Sequence, residues 1–170
     1  MVWAEPANLA GVAAERVASR ESARRCRALV IWTAPPHVEA LAQMLDLTGA
    51  RTVVVAAQDA PDDTINGFLE KLAGLVKYAQ KNYPEGVALL RIASALGQRE
   101  VSVRRGLEWL AARGAITLDW TEDERVKFGP GGAGDPGAVE PLQDAIRALL
   151  AESRAYRAYF RSADLSAMIR

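Results

Sequence analysis

At 170 residues, half of them apolar, the chain can bury one medium core or two small ones, while its 21 basic and 21 acidic side chains cancel. A net charge of zero excludes a general electrostatic pull toward nucleic acid or membrane, so any such binding must come from a local patch. The lone cysteine, Cys26, excludes an intrachain disulfide and a cysteine-built zinc site, and makes a reducing, cytoplasmic setting the expectation.

Val2-Trp3-Ala4 is a short apolar piece ended by Glu5-Pro6, and such a start after one methionine is what a segment cut from a longer protein would have. The opening residues carry no basic signal-peptide start, and no apolar run reaches the roughly 18 residues that span a bilayer. Residues 7 to 27 are rich in alanine and arginine with only loose helical periodicity. Ala28-Leu29-Val30-Ile31-Trp32 is a continuous apolar run, as in a strand covered on both faces. After Pro35-Pro36, the spacing of Val38, Leu41 and Leu45 predicts a short helix ended by Gly49, and Arg51 to Ala57 is a second buried strand. Strand, helix and strand in this order predict a small parallel βαβ piece, three layers deep with its helices. The loop after the first strand is Ala34-Pro35-Pro36-His37, without the glycines that cradle phosphate, so nucleotide binding is not expected.

Asp59 to Asp63 reads as a polar turn that supplies an N-cap, and Ile65, Phe68, Leu69, Leu72, Leu75, Val76 and Ala79 define one face of a long helix. Leu90, Ala93 and Leu96 give a second apolar stripe stopped by Gly97, and Val103, Leu107 and Leu110 give a third that Arg113-Gly114 closes. Ala115 to Trp120 then alternates as a strand, Glu122-Asp123-Glu124 turns, and Arg125 to Phe128 alternates back. This is the pattern of a helix-turn-helix leading into a hairpin, and the stretch from Leu90 to Ile116 resembles the winged-helix superfamily, with Gln98 standing where many members carry an aliphatic residue. The glycine- and proline-rich residues 129 to 137 read as a linker, and Val139, Leu142, Ala145, Ile146, Leu149 and Leu150 begin a last helix that continues through Tyr156, Tyr159 and Phe160. The expected organisation is therefore an α/β piece over residues 1–60, a winged helix over 61–129, a linker over 130–137 and a C-terminal helix over 138–170.

In a DNA-reading winged helix, phosphate and base contacts come from the second helix of the motif and from the wing, which here means Arg99, Ser102, Arg104, Arg105, Arg125 and Lys127. The same module is neutral, with seven basic and seven acidic residues between 85 and 129, and Glu100 and Glu108 on the second helix repel phosphate. A packing or protein-binding role is therefore favoured over DNA reading, and any DNA binding should be weak and carried by Arg99, Arg104, Arg105 and Lys127. Arg147, Arg154, Arg157 and Arg161 interleave with the aromatics of the last helix, a pattern that fits a packed face with snorkelling arginines better than a stacking platform. His37 has no nearby partner for metal or catalysis, and Cys26 has none for nucleophilic work despite Arg24, Arg25 and Arg27 around it. Asp62-Asp63 and Glu122-Asp123-Glu124 fall at turns, where solvation and capping account for them.

The order VIWTAPP, helix, RTVVVAAQDAP, FLEKLAGLVKYA and QREVSVRRGLEWLAARGAI, from Ala28 to Ile116, resembles the C-terminal extension of some bacterial RecJ proteins, the single-strand-specific 5′-to-3′ DNA exonucleases. The resemblance implies a non-catalytic piece of a manganese- or magnesium-dependent repair and recombination nuclease. The family's catalytic Asp and His metal ligands cannot be carried over to a chain with one histidine. It also implies that the partners are the other domains of the parent nuclease, and single-strand-binding protein or a helicase. A stand-alone winged-helix transcriptional regulator is the alternative.

Overall fold

Apolar runs bounded by arginines become the strands of a parallel sheet. In the computed structural model, which describes residues 1–5, 14–58 and 64–163, β1 (Val2–Trp3), β2 (Val17–Ala18), β3 (Ala28–Thr33) and β4 (Thr52–Gln58) pair in the order β2-β1-β3-β4. All three pairings are parallel, with Val2 opposite both Val17 and Val30 and with Ala28 opposite Thr52. The short β2 was not legible in the alanine- and arginine-rich stretch. A single turn of 3-10 helix, Ala14–Arg16, leads into it.

Between β3 and β4, α1 (Val38–Thr48) buries Ala40, Leu41 and Met44 against the sheet and ends at Gly49 in the left-handed conformation. The expectation of strands covered on both faces fails at β4. There Val53, Val55 and Ala57 are half-buried, whereas Thr52, Val54 and Ala56 face solvent. The reason is its place in the order, since β4 is an edge strand and among the described residues no helix covers its outer face.

The second half is built on α2 (Ile65–Asn82), which buries Phe68, Leu72, Val76 and Ala79 at helical spacing. Its N-cap is Thr64, whose Oγ1 accepts from the Gly67 N–H at 3.2 Å; the turn from Asp59 to Asp63 lies outside the described residues. Next come β5 (Val87–Ala88), α3 (Leu89–Leu96) and α4 (Glu100–Ala112). In α3 the core positions are Leu89, Ile92, Ala93 and Leu96, so Ala93 and Leu96 lie inside as expected, while Leu90 is only half-buried and Leu89 and Ile92 take its place. The helix ends in a Schellman turn, in which the Gln98 N–H bonds to the Ala93 carbonyl and the Gly97 N–H to that of Ser94. The hairpin β6 (Thr117–Trp120) and β7 (Arg125–Gly129) forms as expected, and β5 adds a third antiparallel strand in the order β5-β7-β6.

Val103 and Leu107 of α4 are completely buried and Leu110 nearly so, as their spacing predicts. Leu107→Ala should accordingly cost about 2 to 5 kcal/mol. A shift of the thermal midpoint below a degree or two would mean that this side chain does not fill the core. Gly106 lies where a β-carbon would come within 2.5 Å of Leu72 and 2.9 Å of Phe68, so the missing side chain lets α2 and α4 approach closely.

Residues 130–134 pack as a tight crossing around the end of α4, in place of the loose linker expected from their composition. A β-carbon on Gly134 would lie 2.6 Å from the Ala112 carbonyl oxygen, and one on Gly114 would lie 2.7 Å from that of Gly132. Both residues also have positive φ, which glycine adopts without steric cost. The Asp135 N–H then bonds to the Ala112 carbonyl and the Asp135 carboxylate caps α5 (Pro136–Ser162). This last helix runs back along α4. Asp135 meets Ala112, Glu152 meets Arg99 and Arg157 meets Gly97, so the two helices are antiparallel over almost the whole length of α4. Ile146 and Leu150 of α5 belong to the helical core, and Phe160, farther along the same helix, belongs to the core beneath the parallel sheet. The chain is thus a mixed α/β protein with two cores sharing one helix. None of its described helices is long and apolar enough to cross a membrane.

Candidate nucleic-acid interface

The six residues expected to face nucleic acid lie on two neighbouring elements, the first two turns of α4 and the β7 strand of the hairpin, and five of them reach the surface. Ser102 does not. It is fully buried on the inner side of α4, which carries buried residues at positions 102, 103, 106, 107 and 110, a wider face than the stripe of Val103, Leu107 and Leu110 that the sequence pattern marks.

Each of the other five is held by a group of the same chain. Arg99 Nη1 lies 2.6 Å from Glu152 Oε2 on α5, and Arg105 Nη1 lies 2.6 Å from Glu108 Oε2 one turn on. The Arg104 guanidinium sits 4.1 Å from the Trp120 ring centroid, with Nη2 3.7 Å from Glu124 Oε1 at the hairpin turn. Lys127 Nζ is 3.2 Å from Glu85 Oε2, and Arg125 donates to the Gly86 carbonyl at 2.6 Å. Surface ion pairs of this kind are worth only about 0 to 1 kcal/mol each, so they do not lock the side chains in place. What they do is cancel charge. A phosphate approaching any of Arg99, Arg104, Arg105 or Lys127 meets a carboxylate at the same distance, so few counterions would be released on binding.

The N-terminal end of α4, which carries much of the base contact in DNA-reading helices, is tied to the rest of the protein. Arg20, whose side chain has no exposed surface, donates from Nη2 to the Gln98 carbonyl at 2.6 Å and from Nη1 to Glu100 at 3.2 Å. Its Nε and backbone N–H bond to the two oxygens of Glu5, at 2.9 and 2.6 Å. Arg157 reaches the same turn from α5, donating to the Gly97 carbonyl and, at 3.2 Å, to Ala34 after β3. Two buried guanidiniums thus satisfy the carbonyls of the turn between α3 and α4 and join both halves of the protein there. Composition and spacing announce neither, since Arg20 lies in a stretch without periodicity and Arg157 looks like one snorkelling arginine among four. Gln98, the departure from the winged-helix pattern, is the residue whose carbonyl Arg20 takes.

The remaining candidates stay apart. On α5, Arg157 and Phe160 are inside and, of the three aromatics, Tyr159 alone is largely exposed, which is a packed face and not a stacking platform. His37 caps α1 through its backbone, and its Nδ1 lies 2.6 Å from Glu39 Oε2, a hydrogen bond that holds the Glu39 carboxyl below its usual range. Cys26 is a half-buried free thiol. Asp123 accepts from the Thr121 hydroxyl at 2.6 Å, which lowers its pKa and serves the hairpin turn, whereas Asp62 and Asp63 fall outside the described residues. Among the described residues no three His, Cys, Asp or Glu side chains converge in a group that could hold a metal ion. No family model, curated protein or solved structure matches the chain. What the fold defines is the class, a mixed α/β protein with a parallel four-stranded sheet.

Proposed function

We propose that this chain is a non-catalytic accessory domain of a DNA-processing nuclease of the RecJ kind, whose helical half is a winged helix used to hold other domains or a partner protein. The order helix, strand, two helices and hairpin supports the winged-helix reading, as does the pairing of β5 with the hairpin. The observation that carries the choice of protein contact over base reading is the internal pairing of Arg99, Arg104, Arg105 and Lys127, together with the two buried arginines that fasten the start of α4. The partners in this reading are the remaining nuclease domains, single-strand-binding protein or a helicase. The manganese or magnesium of the reaction belongs to the catalytic domains, outside this chain.

The direct test is fluorescence anisotropy with duplex oligonucleotides on the wild-type chain and on Arg104→Glu/Arg105→Glu. Weak binding, at about 10⁻⁴ to 10⁻⁶ M as for non-specific contacts, and unaffected by the variant, is the expected result. Sub-micromolar, sequence-selective duplex binding that the variant loses would overturn the reading in favour of a stand-alone transcriptional regulator. In parallel, the purified chain with added manganese or magnesium should leave a labelled single strand intact. Degradation that co-elutes with the protein would assign it a nuclease activity of its own.

A further inference from the structure

Whereas the cations at the start of α4 and on the hairpin are paired, a group of exposed arginines at the parallel sheet is not. Because all four strands run the same way, their starting ends lie along one edge. Arg16 immediately precedes β2, Arg27 precedes β3 and Arg51 precedes β4. The Arg51 and Thr52 N–H groups both bond to the Arg27 carbonyl, at 3.1 and 3.2 Å, which sets Arg27 and Arg51 side by side. Arg24 and Arg25 belong to the same group, since Arg24 Nη2 donates to the Glu15 carbonyl at 3.2 Å and Arg25 Nη1 lies 3.2 Å from the β-carbon position of Gly49 at the end of α1.

All five arginines are exposed, and among the described residues none makes an ion pair. The nearby carboxylates of Glu15 and Asp46 make no ion pair with them, and that of Glu21 is taken by Arg91 at 2.7 Å. Arg25 has a local explanation, because a cation at a helix C-terminus is favourable. Arg16, Arg24, Arg27 and Arg51 have none of that kind.

We propose that this arginine edge binds the sugar–phosphate backbone of nucleic acid, without reading sequence. Four strands at about 4.8 Å spacing spread the charge along roughly 14 Å. Such a row suits an extended polyanion better than one small anion. Arginine forks pair with phosphate oxygens in bidentate fashion and are weakly hydrated, which favours this contact over a loose ionic cloud. A membrane surface fits less well, because Leu47 is the only large exposed aliphatic residue on the adjoining last turn of α1, too little to insert into lipid. The inference rests on the reading as a nuclease accessory domain and adds to it a DNA contact on the half of the chain away from α4.

The test uses the full chain with a fluorescein-labelled 20- to 30-nucleotide single strand and its duplex, at two salt concentrations. Arg27→Glu/Arg51→Glu should weaken binding about tenfold or more and flatten the salt dependence by about 1.4 in log–log slope for the single strand, two phosphate contacts at about 0.7 each. Arg27→Gln/Arg51→Gln and Arg24→Gln/Arg25→Gln, checked by circular dichroism and thermal melting, provide neutral versions that retain the fold, and each should show the same trend in smaller measure. Wild-type affinity in all of these variants would overturn the proposal. So would equal binding to vesicles of phosphatidylserine and phosphatidylcholine, or equal competition by polyglutamate, which would assign the edge to a membrane or to an acidic protein. Loss of binding in Arg104→Glu/Arg105→Glu with the edge variants unaffected would overturn both this inference and the accessory-domain reading, whereas failure of the edge variants alone leaves that reading standing on protein contacts.

Discussion

Replacing Arg20 by alanine is expected to cost about 3 to 5 kcal/mol, the range for removing one partner from a buried ion pair. In a chain of this size that corresponds to a fall in thermal midpoint of about 6 to 20 °C. The Arg20 side chain is fully buried and Glu5 is only 4% exposed, so the substitution strands a carboxylate that has lost its charged donor. It also removes the Nη2 bond to the Gln98 carbonyl, the link between the α/β half and the turn that opens α4. The penalty comes from leaving a charge alone, not from the net worth of the pair. Arg20→Met combined with Glu5→Leu should therefore recover most of the lost stability. Thermal melting of the two variants decides the matter. A single variant within two degrees of wild type would mean that the pair is solvated, and a double variant no better than the single would mean that the bond to Gln98 dominates.

Phe160→Ala should be of similar size, about 3 to 5 kcal/mol for deleting a completely buried phenyl ring. Phe160 packs with Trp3, Leu29, Ile31, Leu41 and Met44 under the parallel sheet, while Ile146 and Leu150 of the same helix pack with Phe68, Leu72, Leu107 and Val126. Because α5 serves both cores, Phe160→Ala and Ile146→Ala should lower one common transition, without resolving it into two. Coincident melting curves by far-ultraviolet circular dichroism and by tryptophan fluorescence would show this. Two separated transitions, only one of them displaced by each variant, would show that the cores unfold independently.

The elements with strong local signals were legible. The α2 and α4 stripes, the glycine stops at Gly49, Gly97 and Gly114, and the hairpin from Thr117 to Gly129 all follow from periodicity and from the preference of glycine for positive φ. The two-residue strands β2 and β5 were not, because two residues carry no period and exist only where a neighbouring strand supplies the hydrogen bonds. The stretch from Gly129 to Gly134 was read as a linker because composition reports conformational freedom and cannot report close approach. Gly131 and Gly134 are used for approach, with backbone atoms less than 3 Å from where their side chains would begin. Among the candidate site residues, membership of α4 and the hairpin could be read from spacing. The burial of Ser102 could not, since a serine beside the apolar stripe carries no apolar signal and its burial depends on what packs against α4.

By itself, the sequence determined the mixed α/β class, the helices with sustained apolar stripes, and the charge neutrality of the segment from 85 to 129, because periodicity and composition are local or additive quantities. Only the tertiary structure decided which charges remain free. It paired Arg99 with Glu152, Arg104 with Glu124 and Lys127 with Glu85, partners separated by 20 to 53 residues, and it lined up Arg16, Arg27 and Arg51 unpaired along the sheet edge. It also drew Arg20 and Arg157 inside, where carbonyl and carboxylate partners offset the desolvation of the two cations. Coulomb interactions depend on distance in space, and the chain brings distant residues within 3 or 4 Å only after its apolar faces have packed.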